Sequence, residues 1–272
     1  MILFVEKTLR QLRRDPGGTA ITLLTTPACA AVYGLLARSG GGAIGGRTFE
    51  ASVPGLLVLS VIMIVFSSAM VVAREIESGA MARMRTWPVR ATSVLGGNAI
   101  VQLALAAISA ALTLGAARAL GFSPKGSALA ILALAVIASQ ASIGIGLLVA
   151  SLTRSQHRAF LVASVTMFVL LLFSGVIFPR PEVTLVTIAG APLGPFDLLP
   201  TTHLHEAMAR VLAGATLSDV AGRVGALFAL SIVLVGALVS TVVSLIGNSV
   251  TRALGVWGAF SVIRFYRLKV NE

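Results

Sequence analysis

The side chains able to do chemistry are few: three histidines, ten acidic residues and one cysteine in a chain of 272 residues. His203 and His205 form a close pair, and imidazole is the commonest metal donor. A spacing of two turns them about 200° apart on a helix, so they cannot close on one ion. There is no HExxH, and no serine and histidine meet at depth in an apolar run, so neither a zinc nor an intramembrane serine protease is encoded. Cys29 is alone inside an apolar run, which excludes a disulfide framework and a cysteine metal cluster. Without a GxxxxGK[ST] loop the chain cannot hydrolyse ATP by itself. The expectation is no catalytic residue, no metal site and no cofactor held by this chain.

Where charge does concentrate is "REIESGAMARMRTWPVR", residues 74–90, which carries six charged residues between two uncharged runs. Ile76, Ala80, Met84 and Trp87 recur at helical intervals, with Met81 beside them. Glu75 and Glu77 are expected in the first turn of this helix and Arg85 near its last, each suited to the helix dipole. Pro88 then stops it. A Met and Trp stripe suits an adaptable protein contact, and the same amphipathicity suits a membrane surface. Pattern alone leaves the two open.

The elements around the connector follow from composition. The chain is 57% hydrophobic and 11% charged, with a mean hydropathy of +0.96, far from the roughly 25% charge of soluble domains. A net charge of +11 does not point to nucleic acid, because the cations lie between apolar runs and not on one face. A crossing helix needs about 20 apolar residues. Six runs qualify: 20–37, 51–73, 91–117, 126–153, 159–179 and 224–251. The first follows a charged stretch too long for a signal peptide and is expected to be retained. The fold class expected is an all-α membrane protein forming a single membrane domain over residues 1–272.

Residues 1–18 place Ile2, Val5, Leu9 and Leu12 at helical spacing among Lys7, Arg10, Arg13 and Arg14, a basic amphipathic helix at the interface. The stretch 183–196 is apolar but short and broken by Gly190, Pro192, Gly194 and Pro195. Within 180–222 it reads as a re-entrant external segment, the alternative being an ordinary loop. Lys and Arg are denser at both termini and in the connectors after runs two and four, which places both termini in the cytoplasm. The runs contain no ionisable residue, so an ion-coupled carrier lacks its usual groups. No repeat relates the two halves, which also weighs against a secondary carrier. Gln102, Ser139, Gln140, Ser142 and Ser174 are polar at depth, and interhelical hydrogen bonding is their ordinary role.

Residues 71–98, "VVAREIESGAMARMRTWPVRATSVLGGN", resemble the connector between spans two and three of the type-2 ATP-binding-cassette exporter permeases. Glu75, Glu77, Gly79, Met84, Pro88 and Gly97 stand at matching positions, while Ala80, Trp87 and Asn98 depart from the pattern. "FDLLPTTHLHEAMARVLAGA" is similar to a later family segment through Pro200, Thr202, His203, Glu206 and Arg210. "FSGVIFPRPEV", with Phe173, Ser174, Pro179 and Pro181, is similar to the family's end of span five.

That resemblance implies a plasma (inner) membrane permease pairing with a second permease, identical or related, and with two cytoplasmic ATP-binding subunits that hold ATP and Mg. It implies that Glu75, Ile76, Glu77, Gly79, Met81, Met84, Trp87 and Pro88 couple to the ATPase. Gln102, Gln140, Phe173 and Ser174 are the candidates for the substrate path. The implied cargo is a hydrophobic or amphiphilic, drug- or antibiotic-like compound; polysaccharide, lipid or haem is the alternative. An intramembrane enzyme would need a polar cluster meeting at one depth, and the runs offer none.

Overall fold

The computed structural model describes residues 2–41, 48–80, 91–174, 186–188, 191–193, 196 and 199–246. Expectations resting on Met81, Met84, Trp87, Pro88, Pro179 and Pro181 lie outside the described residues. Helix α1 covers Ile2–Arg14, α2 Pro16–Leu36, α3 Phe49–Glu77, α4 Ala91–Ala119, α5 Ala128–Thr153 and α6 Gln156–Phe173. Helix α7 covers Pro200–Leu212 and α8 covers Ala221–Ile246.

Five of these, α2 to α6, are long and apolar enough to cross a membrane. Helix α8 is 26 residues long, and its stretch Ala221–Val233 is apolar. The first five uncharged runs coincide with α2 to α6 to within a few residues at most ends; the sixth begins within α8, and the ends of the fifth and sixth lie outside the described residues. The long elements are all helical, as expected, and one short hairpin lies among them. Within the stretch expected to be re-entrant, Val186–Ile188 (β1) pairs antiparallel with Ala191–Leu193 (β2), Val186 facing Leu193 and Ile188 facing Ala191. The β-branched run Val186, Thr187, Ile188 favours extended backbone, a preference that an apolar tally does not register.

Helix α3 is the axis of the bundle. Its most apolar window is 78% buried, against 22% for α2 and 17% for α6. It packs most extensively on α5 and also meets α2, α4, α6 and α7. Gly146 of α5 makes the α3–α5 crossing close: a Cβ there would run into the Val65 carbonyl and lie 2.9 Å from the Ser68 Cβ. At the same crossing the Ser68 hydroxyl donates to the Ile143 carbonyl at 3.4 Å. The Thr26 and Ser109 hydroxyls bond at 3.1 Å between α2 and α4. Small residues that admit a neighbouring backbone, with hydroxyls as glue, are how helices associate where lipid removes the hydrophobic drive.

One core cluster runs through Val53, Leu57, Val61, Ile131, Leu134 and Met208, joining α3, α5 and α7. The second, at the α1 end of the bundle, includes Ile64, Val72, Val101, Leu105, Ile143 and Leu147. Val5 and Leu12 of α1 pack against it. The amphipathic spacing in residues 1–18 thus has a split use: Val5 and Leu12 face protein, while Leu3 and Leu9 remain 77% and 48% exposed.

Candidate functional site

The polar residues that the fold brings together lie where α3 ends. Ser78 caps α3, its N–H bonding back to the Arg74 carbonyl, and Gly79 follows at φ +69. A glycine in the left-handed region just past the last helical turn is a common helix stop, because other residues pay for the Cβ there. Arg74, Glu75, Ile76 and Glu77 are therefore the last turn of α3. This corrects the expectation that the glutamates open a separate helix. The helical register carries on numerically through Ile76 and Ala80, but the helix breaks at Gly79.

Carboxylates at a helix C-terminus meet the negative end of the dipole and need compensation. Each glutamate finds it on a different element. Glu75, 7% exposed, accepts from Lys7 Nζ at 2.7 Å and from Gln11 Nε2 at 3.3 Å, both on α1. Glu77 accepts from the Gln156 backbone N–H at 2.8 Å, at the start of α6, where an anion is favoured. Arg74 completes the set by donating to Asp15 Oδ2 at 2.9 Å.

Asp15 stands at the corner between α1 and α2. Its Oδ1 accepts from the Gly18 N–H at 3.1 Å, capping α2 ahead of Pro16 at the first helical position. That backbone bond, then the Arg74 side chain, holds the Asp15 carboxyl below its ordinary range. Phe4 seats on Gly97 of α4, where any Cβ would collide with it. The end of α3 thus clamps α1, α2 and α6 at the point where the chain enters the 78–90 connector. Among the described residues no group of His, Cys, Asp and Glu could hold a metal ion.

The other candidates are dispersed. Thr202 is buried in the first turn of α7, where its N–H bonds to the Leu199 carbonyl, and Pro200 opens that helix. His203 and His205 are partly buried on α7, Glu206 forms an ion pair with Arg223 of α8, and Arg210 is exposed. Gln102 is fully buried in α4, with neither amide atom hydrogen-bonded among the described residues. Gln140 is partly exposed on α5. Ser174 is buried and bonds to its own helix at the Leu171 carbonyl. Phe173 is 42% exposed and stacks on Phe196 with ring centres 5.4 Å apart. Gln102 sealed inside and Phe173 open outside do not make one cluster.

Lys7, Gln11, Asp15, Arg74, Gln156 and Arg223 belong to these contacts and were missed as site residues. The Asp15–Pro16 cap was a readable signal. The spacing of Lys7 and Gln11, one helical turn apart on a single face, was another. Their partners lie more than 60 positions away, which periodicity cannot reveal.

Residues 1–195, from α1 through the hairpin, match the family model described as ABC-2 type transporter. No curated protein and no solved structure matches the chain.

Proposed function

The chain belongs to the ABC-2 type transporter family, and on that premise we propose that it is the permease of an ATP-driven exporter for a hydrophobic or amphiphilic, drug- or antibiotic-like compound. As a multi-pass membrane component of an ABC transporter it works with ATP-binding subunits. In our reading two such subunits sit on the cytoplasmic side, binding the ATP and Mg, and both termini of this chain face them in the plasma membrane.

The observation that carries the reading is the clamp at the end of α3. Segment 78–90 leaves the axis of the bundle from a turn whose charged side chains hold α1, α2 and α6. A subunit docking through Met81, Met84 and Trp87 moves that turn and, with it, three helices at once. Helix α6 has an apolar face that is largely exposed among the described residues, including Leu161, Val165 and Phe168. A second permease placed against that face closes a lipid-excluding path for an amphiphile, with the segment that holds the β-hairpin at its external end.

Reconstitution with the partner ATPase in proteoliposomes tests this. Efflux of an amphiphilic dye is expected only with ATP, and Glu75→Ala combined with Glu77→Ala is expected to lower it at least tenfold while ATP binding persists. ATP hydrolysis by the purified chain alone contradicts the proposal. Stimulation of the complex by a polysaccharide, lipid or haem but by no drug-like compound transfers the assignment to that cargo.

A further inference from the structure

A groove of about 690 Å³ runs between α1, α2 and the flank of α4, lined among others by Leu9, Arg10, Arg13, Leu23, Leu24 and Leu112. That volume falls in the roughly 300–1,000 Å³ range of ligand sites. Its walls are apolar and open, with Leu9 48%, Leu24 56% and Leu112 43% exposed. Its polar end is cationic, and the charges of α1 can be accounted for one by one. Lys7 is held by Glu75, Arg10 by Glu6, and Asp15 by Arg74. Arg13 has no carboxylate partner among the described residues and lies at the groove. Arg14 also has none, but it lines a neighbouring hollow with Leu3, Lys7 and Gln11, which shares only Glu6 and Arg10 with the groove.

We propose that this groove binds one anionic glycerophospholipid, its phosphate on the Arg13 guanidinium beside Arg10 and its acyl chains along Leu23, Leu24 and Leu112. A phosphate offers the guanidinium two acceptors, and the apolar walls below ask for no hydrogen bond. Glu6 on the rim is already engaged by Arg10, so the local charge stays positive. A second copy of the chain fits the groove less well, since a two-fold contact here sets the same cationic rims against each other. The bound lipid also bears on the clamp: it holds α1 from the side opposite Lys7 and Gln11, so α1 is fixed between the leaflet and Glu75.

The inference rests on the chain spanning a membrane, not on what is exported, so its test uses the full chain without any ATPase. The chain is released from nanodiscs of equal phosphatidylglycerol and phosphatidylcholine with the same acyl chains, and retained lipid is read by native mass spectrometry. One phosphatidylglycerol is expected per chain, in preference to phosphatidylcholine. Arg13→Gln is expected to lower that preference about fivefold, the equivalent of one cation at a lipid surface, and Arg13→Lys to keep most of it. Arg14→Gln removes the same charge away from the groove and is expected to change nothing. Equal losses from Arg13→Gln and Arg14→Gln would show diffuse attraction and overturn the site. So would displacement of the lipid by glycerophosphoglycerol, the headgroup without chains, or a disulfide between two copies through Leu24→Cys.

Discussion

Asp15 does two jobs with one carboxylate, capping α2 through Gly18 and pairing with Arg74. Asn keeps the cap but not the charge, so Asp15→Asn isolates the ionic part. The folded Asp15 pKa is lowered, so its contribution is present above the unfolded value of about 3.9 and lost as pH falls through the lower folded value. The gap in thermal midpoint between wild type and Asp15→Asn is therefore expected in full at neutral pH and to close below about pH 4. A gap unchanged in acid would deny the carboxylate its role. For Lys7 and Glu75, a double-mutant cycle with Lys7→Gln and Glu75→Gln is expected to give a coupling of roughly 2 kcal/mol, as for hydrogen bonds to charged groups. Additive effects would mean that α1 is not latched there. Glu75 was legible as a residue of interest from its place in the connector. Its partner was not, since Lys7 reads from spacing as one more cation on a solvated face.

The elements were largely legible, because a long uncharged run in lipid has to satisfy its backbone internally and a helix does so. Their ends and crossings were less so. The stop at Gly79 depends on one backbone angle, and the hairpin in 186–193 depends on β-preference inside an apolar stretch. Glycines in the spans look alike in the sequence, yet the structure separates them. Gly146→Ala puts a methyl group into the α3 backbone and is expected to cost roughly 1–3 kcal/mol through overpacking. Gly115→Ala meets nothing within 4 Å and is expected to be neutral or to stabilise by up to about 1 kcal/mol through helix propensity. Thermal unfolding in one detergent compares them, and equal losses would contradict the close α3–α5 crossing.

At the scale of the molecule, α3 is the buried axis and α2 and α6 are largely exposed, the surface that the proposed second permease would meet. The cationic α1 corner suits one leaflet, and the connector issues from a four-helix clamp. Composition points to the membrane; it is silent on which helices are left exposed, because lipid-facing and protein-facing residues are equally apolar here. The claim that joins these features is that segment 78–90 receives an ATPase. The most direct measurement places a photo-reactive amino acid at Met84 of the full chain in the cells that make it, and crosslinks without solubilising. The account predicts one crosslinked partner that carries a P-loop, and ATP hydrolysis by the complex purified through it. Crosslinking to lipid alone, with no nucleotide-binding protein attached, would contradict it.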